Sequence, residues 1–173
     1  MLDPRLQDAI NDQINFELYS AYIYYSMQSW FESEGFSGMA NWMAVQVKEE
    51  ISHAQIMFDY VNERGGRVVL KGIDGPNNDW ESPLHIFETA WEHEQIVTGR
   101  IHKIMDLALE IKDHATTQWL QWFVAEQVEE EAAASEIVAK LKWAKDAPGV
   151  LFQVDSELGT RVFNLPSPLA TAE

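Results

Sequence analysis

The sequence contains no cysteine, which excludes disulfide bonds, thiolate metal sites and catalysis by a cysteine nucleophile. Any bound metal must therefore use oxygen and nitrogen ligands. The sequence also lacks any run approaching the ~18 apolar residues that span a bilayer. Its start, Met1-Leu2-Asp3-Pro4, has neither the basic nor the apolar region of a signal peptide. We therefore expect a cytoplasmic protein that does not bind membranes.

Basic residues are scarce as well, with 12 Lys and Arg against 28 Asp and Glu, for a net charge of -16. Nucleic acids and anionic membranes both require a basic surface that displaces counterions, so this balance argues against both partners. Cations are the natural partners of such a chain. Its 173 residues, of which 46% are hydrophobic and 12% aromatic, suffice for one domain with a substantial core.

Apolar residues recur at helical spacing in four long segments, which predict helices at about 4–33, 37–64, 83–112 and 115–145. Asp3-Pro4 and Ser82-Pro83 are typical of an N-cap followed by the first helical turn. Residues 146–160 carry a small apolar stripe and predict a short fifth helix, which we expect to pack at a subunit contact because it is too short to stand alone. Residues 161–173 form the predicted C-terminal tail, whose part from Pro166 to Glu173 we expect to be frayed.

Residues 66–81 are rich in Gly, Pro, Asn and Asp, which predicts a connection rather than a helix. About 16 extended residues reach roughly 53 Å, whereas a helix of ~28 residues is about 42 Å long. The connection can therefore cross over the length of a bundle, so that the third helix runs parallel to the second. The alternative is a disordered linker between two hairpins. The predicted fold class is an all-α four-helix bundle with this crossover and a short fifth helix.

Four glutamates fall at positions of these helices where an amphipathic pattern requires an apolar side chain, namely Glu17, Glu50, Glu94 and Glu130. Burying an isolated carboxylate costs several kcal/mol unless charge or hydrogen bonds compensate. Glu50 also forms a Glu-x-x-His pair with His53, and Gln127-x-x-Glu130 repeats this spacing 77 positions later. Glu17 precedes Glu50 by 33 residues, as Glu94 precedes Gln127. Four-helix bundles build two-metal carboxylate sites from such a set, and its oxygen and imidazole ligands suit iron.

Each glutamate taken alone could instead reach solvent or pair with a Lys or Arg. The set favours a metal site, because no Lys or Arg lies on these stripes in the central turns and because the spacing repeats. The other histidines, His85, His93, His102 and His114, have no acid three positions earlier, and we expect them at the surface or at helix caps.

A second, more exposed cation site is predicted beside the first. Glu126, Glu129 and Glu130 share one side of a helix at i, i+3 and i+4, and Glu49 is adjacent to Glu50. We expect Glu131 to lie on a solvated face.

Two aromatic residues are candidate redox participants. Tyr24 lies two turns beyond Glu17, and Trp122 lies about one turn before Glu126, although packing in a core explains either residue as well.

These residues resemble the prokaryotic non-haem ferritins over nearly the whole chain, to about residue 163. The resemblance rests on Glu17, Tyr24, Glu50-x-x-His53, Glu94, Gln127-x-x-Glu130, the Asn-Glu-Arg-Gly-Gly stretch at 62–66 and the short terminal helix. It implies a ferritin-like bundle, assembled as a homo-oligomeric shell of 24 subunits. It also implies that the protein oxidises Fe(II) with O2 or H2O2 and stores the Fe(III) mineral inside the shell.

The resemblance also implies roles for these residues. Glu17, Glu50 and His53 would bind one iron, and Glu50 would bridge to a second iron held with Glu94 and Glu130. Gln127 would be a hydrogen-bonding residue or weak ligand beside the second iron. A third iron site would comprise Glu49, Glu126, Glu129 and Glu130.

Bacterioferritins and rubrerythrins also resemble this chain. They generally repeat the Glu-x-x-His pair in the second half of their sequences, where this chain has Gln127-x-x-Glu130. The haem methionine of bacterioferritin would align with Ile51, so we expect no haem. Two further alternatives stay open: a di-iron redox enzyme, such as a peroxide reductase, that stores no mineral, and a non-catalytic helical scaffold whose carboxylates are solvated.

Overall fold

Six helices account for most of the chain in the computed structural model, which describes residues 2–144 and 147–170. They are α1 (Pro4–Glu34), α2 (Ser37–Glu63), α3 (Pro83–Glu110), α4 (His114–Ala144), α5 (Pro148–Leu158) and the single turn α6 (Ser167–Ala170). The structure divides into two units. The first unit holds α1, α2, the crossover to Trp80 and the chain from Phe152 onward, and the second runs from Glu81 to Leu151.

α1 and α2 pack together as a hairpin in the first unit. Asp3 accepts a 2.8 Å hydrogen bond from the backbone N–H of Arg5, which confirms the predicted N-cap of α1. Gly35 ends α1 in the left-handed conformation at φ 82°, which costs glycine little. Only Phe36 separates Gly35 from the first residue of α2. The buried side chains include Ile10, Ile14, Met27, Phe31, Met39, Met43 and Met57.

The crossover is an extended segment held against α1 by a row of side-chain amides, which we term the amide row (Gln7, Asn11 and Asn15). Gln7 Oε1 accepts from the N–H of Arg67 at 3.1 Å, and Asn11 Nδ2 donates to the Arg67 carbonyl at 3.1 Å. Asn11 Oδ1 and Asn15 Oδ1 accept from the N–H groups of Val69 and Lys71 at 3.4 and 3.1 Å.

Side chains one helical turn apart on α1 thus match alternate residues of an extended chain, because both spacings are about 6 Å. Further along α1, Ser26 donates to the Asn77 carbonyl and accepts from Trp80 Nε1 at 3.3 Å. The prediction of a connection without helix is confirmed, and the alternative of a disordered linker is wrong.

α5 supplies a cap that α2 lacks in its own sequence. Phe36, the residue before α2, makes no side-chain capping bond, and Asp155 of α5 instead accepts from the N–H of Met39 at 2.8 Å. The approach requires glycine at position 38, since a Cβ there would lie 1.6 Å from the Asp155 carbonyl oxygen. Val154 and Leu158 are buried within the chain. The stripe predicted to face another subunit is therefore partly used inside the protomer.

The second unit is the hairpin of α3 and α4. Ser82 accepts from the N–H of His85 at 3.2 Å, confirming the second predicted N-cap. Asp113 accepts from the N–H of Thr116 at 3.0 Å at the start of α4. The predicted end of this helix at residue 145 and Asp146 of the following turn lie outside the described residues. Within the described ranges, no helix is long and apolar enough to cross a bilayer.

Candidate metal centre

Glu17 lies in the middle of α1 and is buried, as its position on the apolar stripe predicts. Gln13, one turn earlier and also buried, donates from Nε2 to Glu17 Oε1 at 2.8 Å. Glu17 Oε2 makes no hydrogen bond to any described residue. One oxygen is thus oriented by the protein and the other is left for a ligand. Gln13 was not predicted as a site residue, although its amide one turn before Glu17 on the same helix face was the available signal.

α2 contributes Glu50 and His53, which share one face because they are three residues apart. Glu50 Oε2 lies 3.8 Å from His53 Nδ1. Glu17 and Glu50 are 1% exposed and His53 is 2% exposed. Neither Glu50 Oε2 nor His53 Nε2 forms a hydrogen bond within the described chain, although both residues make other contacts.

These three residues converge on one point. One ligand atom from each of Glu17, Glu50 and His53 lies within 4.8 Å of the other two. Donor atoms on a common divalent ion are each about 2.1 Å from it, so small side-chain rotations bring all three to one ion. Two buried carboxylates and an imidazole favour a cation of intermediate hardness such as Fe(II). The cluster therefore has the burial, ligand types and spacing of a metal site.

The second hairpin buries its own set of polar side chains, Glu94 on α3 and Gln127 and Glu130 on α4. Glu94 Oε2, like the corresponding oxygen of Glu17, makes no hydrogen bond to a described residue. The positions predicted for the second iron of the pair are therefore buried, whereas the scaffold alternative requires them to be solvated.

Thr98 of α3 links two α4 side chains, because its Oγ1 lies 3.1 Å from Gln127 Oε1 and 2.5 Å from Glu131 Oε1. A hydroxyl carries one proton, whereas a carboxylate can only accept. If Thr98 donates to Glu131, its second partner must donate to it, which requires the Gln127 amide to turn Nε2 toward Thr98. Gln127 Oε1 then lies on the far side of the amide. The expectation of a solvated Glu131 is wrong, since this residue is half-buried and bonded to Thr98.

The structure also shows that the predicted position of one histidine is wrong. His93 was expected at the surface or at a cap but is buried on α3. Burial and, secondarily, the charge of Arg100 lower the pKa of His93 to about 4, so its imidazole is neutral near pH 7. His102 and His114 are exposed, and His85 accepts from the N–H of Glu81 at 3.4 Å beside the α3 cap, as expected.

The residues predicted for a third iron differ in exposure. Glu126 is half-buried and Glu129 is exposed on α4. Glu49 on α2 is bound by Arg161, whose Nη2 donates to Glu49 Oε2 at 2.7 Å. Arg161 belongs to the predicted C-terminal tail, and nothing in its local pattern marks it as a partner of α2.

Tyr24 is fully buried, and its ring meets that of Trp42 edge-on at a centroid distance of 6.5 Å. Trp122 is half-buried, with its ring 4.8 Å from that of Phe123. Both aromatic residues pack as core or near-core side chains do.

Comparison with known proteins identifies the family and similar chains. The ferritin-like domain family matches residues 7–144. A bacterial non-heme ferritin of Bacteroides fragilis is 47% identical over 161 residues, covering 93% of this chain and all of that protein. A bacterial non-heme ferritin of Staphylococcus aureus is 37% identical over 164 residues, covering 95% and 99% of the two chains.

Solved ferritin structures are also similar to this chain. An engineered closed form of the Archaeoglobus fulgidus ferritin is similar with a TM-score of 0.93 and 49% identity, covering 95% of this chain and all of that one. The open pore ferritin of the same archaeon also has a TM-score of 0.93, with 94% of this chain covered and all of that chain. The predicted fold class, a four-helix bundle with a short C-terminal helix, is confirmed.

Proposed function

The chain belongs to the ferritin family, whose function is iron storage, and we propose that it oxidises Fe(II) to Fe(III) at a paired-iron centre before storage. One observation carries this proposal: Glu17, Glu50 and His53 are buried together with ligand atoms within 4.8 Å of one another. A buried cluster of this composition is costly without a cation, because the two carboxylates repel each other in a medium of low dielectric. Bound iron relieves that repulsion.

The second iron of the pair would be held by Glu94 and Glu130, with Glu50 bridging the two metals. This assignment comes from the family resemblance and from the burial of both residues in the second hairpin. The proposed centre thus combines one ligand from each of four helices with His53 as the single nitrogen donor. Its ligands are mostly carboxylates, which favour Fe(III) over Fe(II) and so assist oxidation.

The chemistry requires two irons together. Each Fe(II) loses one electron, so a pair reduces O2 to H2O2, or H2O2 to two water molecules, and takes up two protons in either case. The protein's contribution is to hold both substrate ions close to Glu50 and to leave coordination positions open to the oxidant. Gln127, whose side-chain amide lies against Thr98, would be a hydrogen-bonding residue or weak ligand beside the second iron.

A third iron site formed by Glu49, Glu126, Glu129 and Glu130 is the remaining part of the proposal. Glu49, Glu126 and Glu129 are more exposed than the paired ligands, as suits a site from which iron leaves toward a store, whereas Glu130, which both sites share, is buried. Tyr24 stays a candidate redox participant, a role supported only by its burial beside Trp42. The expectation of no haem and of a cytoplasmic location also stay predictions.

Storage requires a closed shell, and we propose about 24 copies of the chain. Several large apolar side chains are exposed on the protomer, including Trp143 at 80% and Phe152 at 76%, and a shell would cover such groups. The net charge of -16 fits a carboxylate-rich cavity that concentrates Fe(II) and nucleates ferric oxide.

The mass and iron content of the native assembly test this function. Light scattering should give a closed assembly of about 24 chains, and aerobic Fe(II) addition should load far more iron than the paired sites can hold. Loading that stops when the paired sites are full would indicate a non-storing di-iron redox enzyme. A stable monomer or dimer at micromolar concentration, with no Fe(II) binding, would contradict the proposal altogether.

A further inference from the structure

Arg161 lies on the short segment after α5 and covers one face of α2. Its Nη1 donates to Gln46 Oε1 and lies 3.5 Å from the Trp42 carbonyl, while Nη2 donates to Glu49 Oε2 at 2.7 Å. The guanidinium carbon is 4.6 Å from the centroid of the Trp42 ring. The three α2 residues are spaced at i, i+4 and i+7, so a single guanidinium fork binds a continuous stripe of the helix.

The segment that carries Arg161 is attached to α2 at a second point. Asn41 Nδ2 donates to the carbonyls of Leu158 and Arg161 at 3.3 and 3.0 Å. Arg161 and Glu49 are only 24% and 16% exposed at their side chains, so solvent screens their ion pair less than it screens a surface pair. The segment from Leu158 to Arg161 is therefore built to place a cation on Glu49.

This contact bears directly on iron. Glu49 is adjacent in sequence to Glu50, the proposed bridge, and is itself a proposed ligand of the third iron. An Fe(II) ion on Glu49 would lie within a few ångström of the guanidinium, and like charges at that separation repel strongly in a partly buried site. Iron binding at Glu49 and the Arg161 contact therefore oppose each other.

We propose that Arg161 is an internal cation that occupies Glu49 until the paired sites are filled. The third iron then displaces the guanidinium from Glu49, and this releases the segment after α5. This rests on the proposed function. Coupling is reciprocal: what weakens the Arg161 contact must strengthen iron binding at Glu49 by the same factor, and iron at Glu49 must loosen the segment.

Anaerobic titration with Fe(II) tests the first half of this coupling. Arg161→Gln should bind the third Fe(II) at least about fivefold more tightly than the parent, within the usual range for coupled sites, and should leave the first two unchanged. Lys71→Gln is the matched control, because it removes the same charge from an exposed residue that pairs with Asp12. A third-iron affinity in Arg161→Gln equal to or weaker than that of the parent overturns the proposal.

Hydrogen exchange of the peptide spanning residues 158–165 tests the second half without reference to oxidation. Metal-free Arg161→Gln should exchange faster there than the parent, and the parent should show the same increase only beyond two equivalents of Fe(II). Asn41→Ala, which loosens the segment without changing the charge, should shift the third-iron affinity in the same direction. Unchanged exchange between two and three equivalents in the parent refutes the coupling.

The two proposals fail in different ways. If the parent does not bind the first two Fe(II) ions, the paired-iron function is wrong. If it binds them and Arg161→Gln leaves the third unchanged, only the role of Arg161 is wrong.

Discussion

Gln13 Nε2 donates a 2.8 Å hydrogen bond to Glu17 Oε1, and both side chains are buried one turn apart on α1. The amide fixes which oxygen of Glu17 remains for iron. Partners of this kind orient a metal ligand, and losing them typically costs about 10- to 100-fold in metal affinity.

Gln13→Met should therefore weaken Fe(II) binding at the Glu17, Glu50 and His53 cluster by roughly tenfold while preserving the helix, since Met is similar in length and a good helix former. Anaerobic calorimetric titration measures the change. Exposed Gln118 supplies the control, and Gln118→Met should match the parent. Equal affinity in Gln13→Met and the parent would show that Glu17 needs no orienting partner.

Thr98→Val should weaken binding of the second iron selectively, because the Gln127 amide loses the hydroxyl that orients it and Glu131 loses its donor. Thr98→Ser retains the hydroxyl and should restore the parental isotherm. The readout is the affinity of the second Fe(II) relative to the first in the same anaerobic titration. An unchanged ratio in the valine variant would show that Thr98 does not orient a ligand of the second iron.

Asp155→Ala should lower the thermal midpoint, because removing an N-cap costs about 1 kcal/mol. Asp155→Asn keeps an acceptor and should be nearly neutral. Gly38→Ala should be more damaging, since its Cβ would lie 1.6 Å from the Asp155 carbonyl oxygen and must displace α5. Differential scanning calorimetry orders the variants. A melting point of Gly38→Ala equal to that of the parent would mean that α5 is not docked as described.

Glu126→Ala and Glu129→Ala should preserve the fast first phase of Fe(II) oxidation and change later turnover or the iron-to-oxygen stoichiometry, because both residues belong to the proposed third site. Stopped-flow absorbance combined with oxygen consumption separates the two phases. Loss of the first phase in these variants, equal to that in a paired-site variant, would mean that the third site is wrongly assigned.

The helices and the buried glutamates could be predicted from the sequence because both are local or periodic properties. Asp3-Pro4 and Ser82-Pro83 mark helix starts through bonds to residues two or three positions away. Glu17 and Glu50 interrupt apolar stripes, and only a compensating ligand makes such positions tolerable. Periodicity therefore locates the polar groups that must be buried.

The contacts that the sequence did not predict join residues far apart in the chain. The amide row on α1 consists of Gln and Asn side chains that a solvated helix face would equally carry, and only the path of the crossover gives them partners. Arg161 reaches Glu49 across 112 positions, and no local pattern encodes that pairing. His93 is buried because α3 has a broader buried face than a strict apolar stripe indicates.

Glu50→Ala addresses the central claim, because Glu50 is the only side chain proposed to touch both irons. The variant should assemble normally, since removing one carboxylate from a repulsive cluster offsets a cavity that costs on the order of 1 to 3 kcal/mol. It should lose rapid oxidation more completely than Glu17→Ala or Glu94→Ala, each of which leaves one iron with most of its ligands.

The decisive measurement is the stopped-flow rate of Fe(II) oxidation by Glu50→Ala, taken with the size of its assembly. The account predicts a shell of parental size in which the fast phase is absent. A shell of parental size that oxidises Fe(II) at the parental rate would contradict the paired-iron centre at Glu17, Glu50, His53, Glu94 and Glu130.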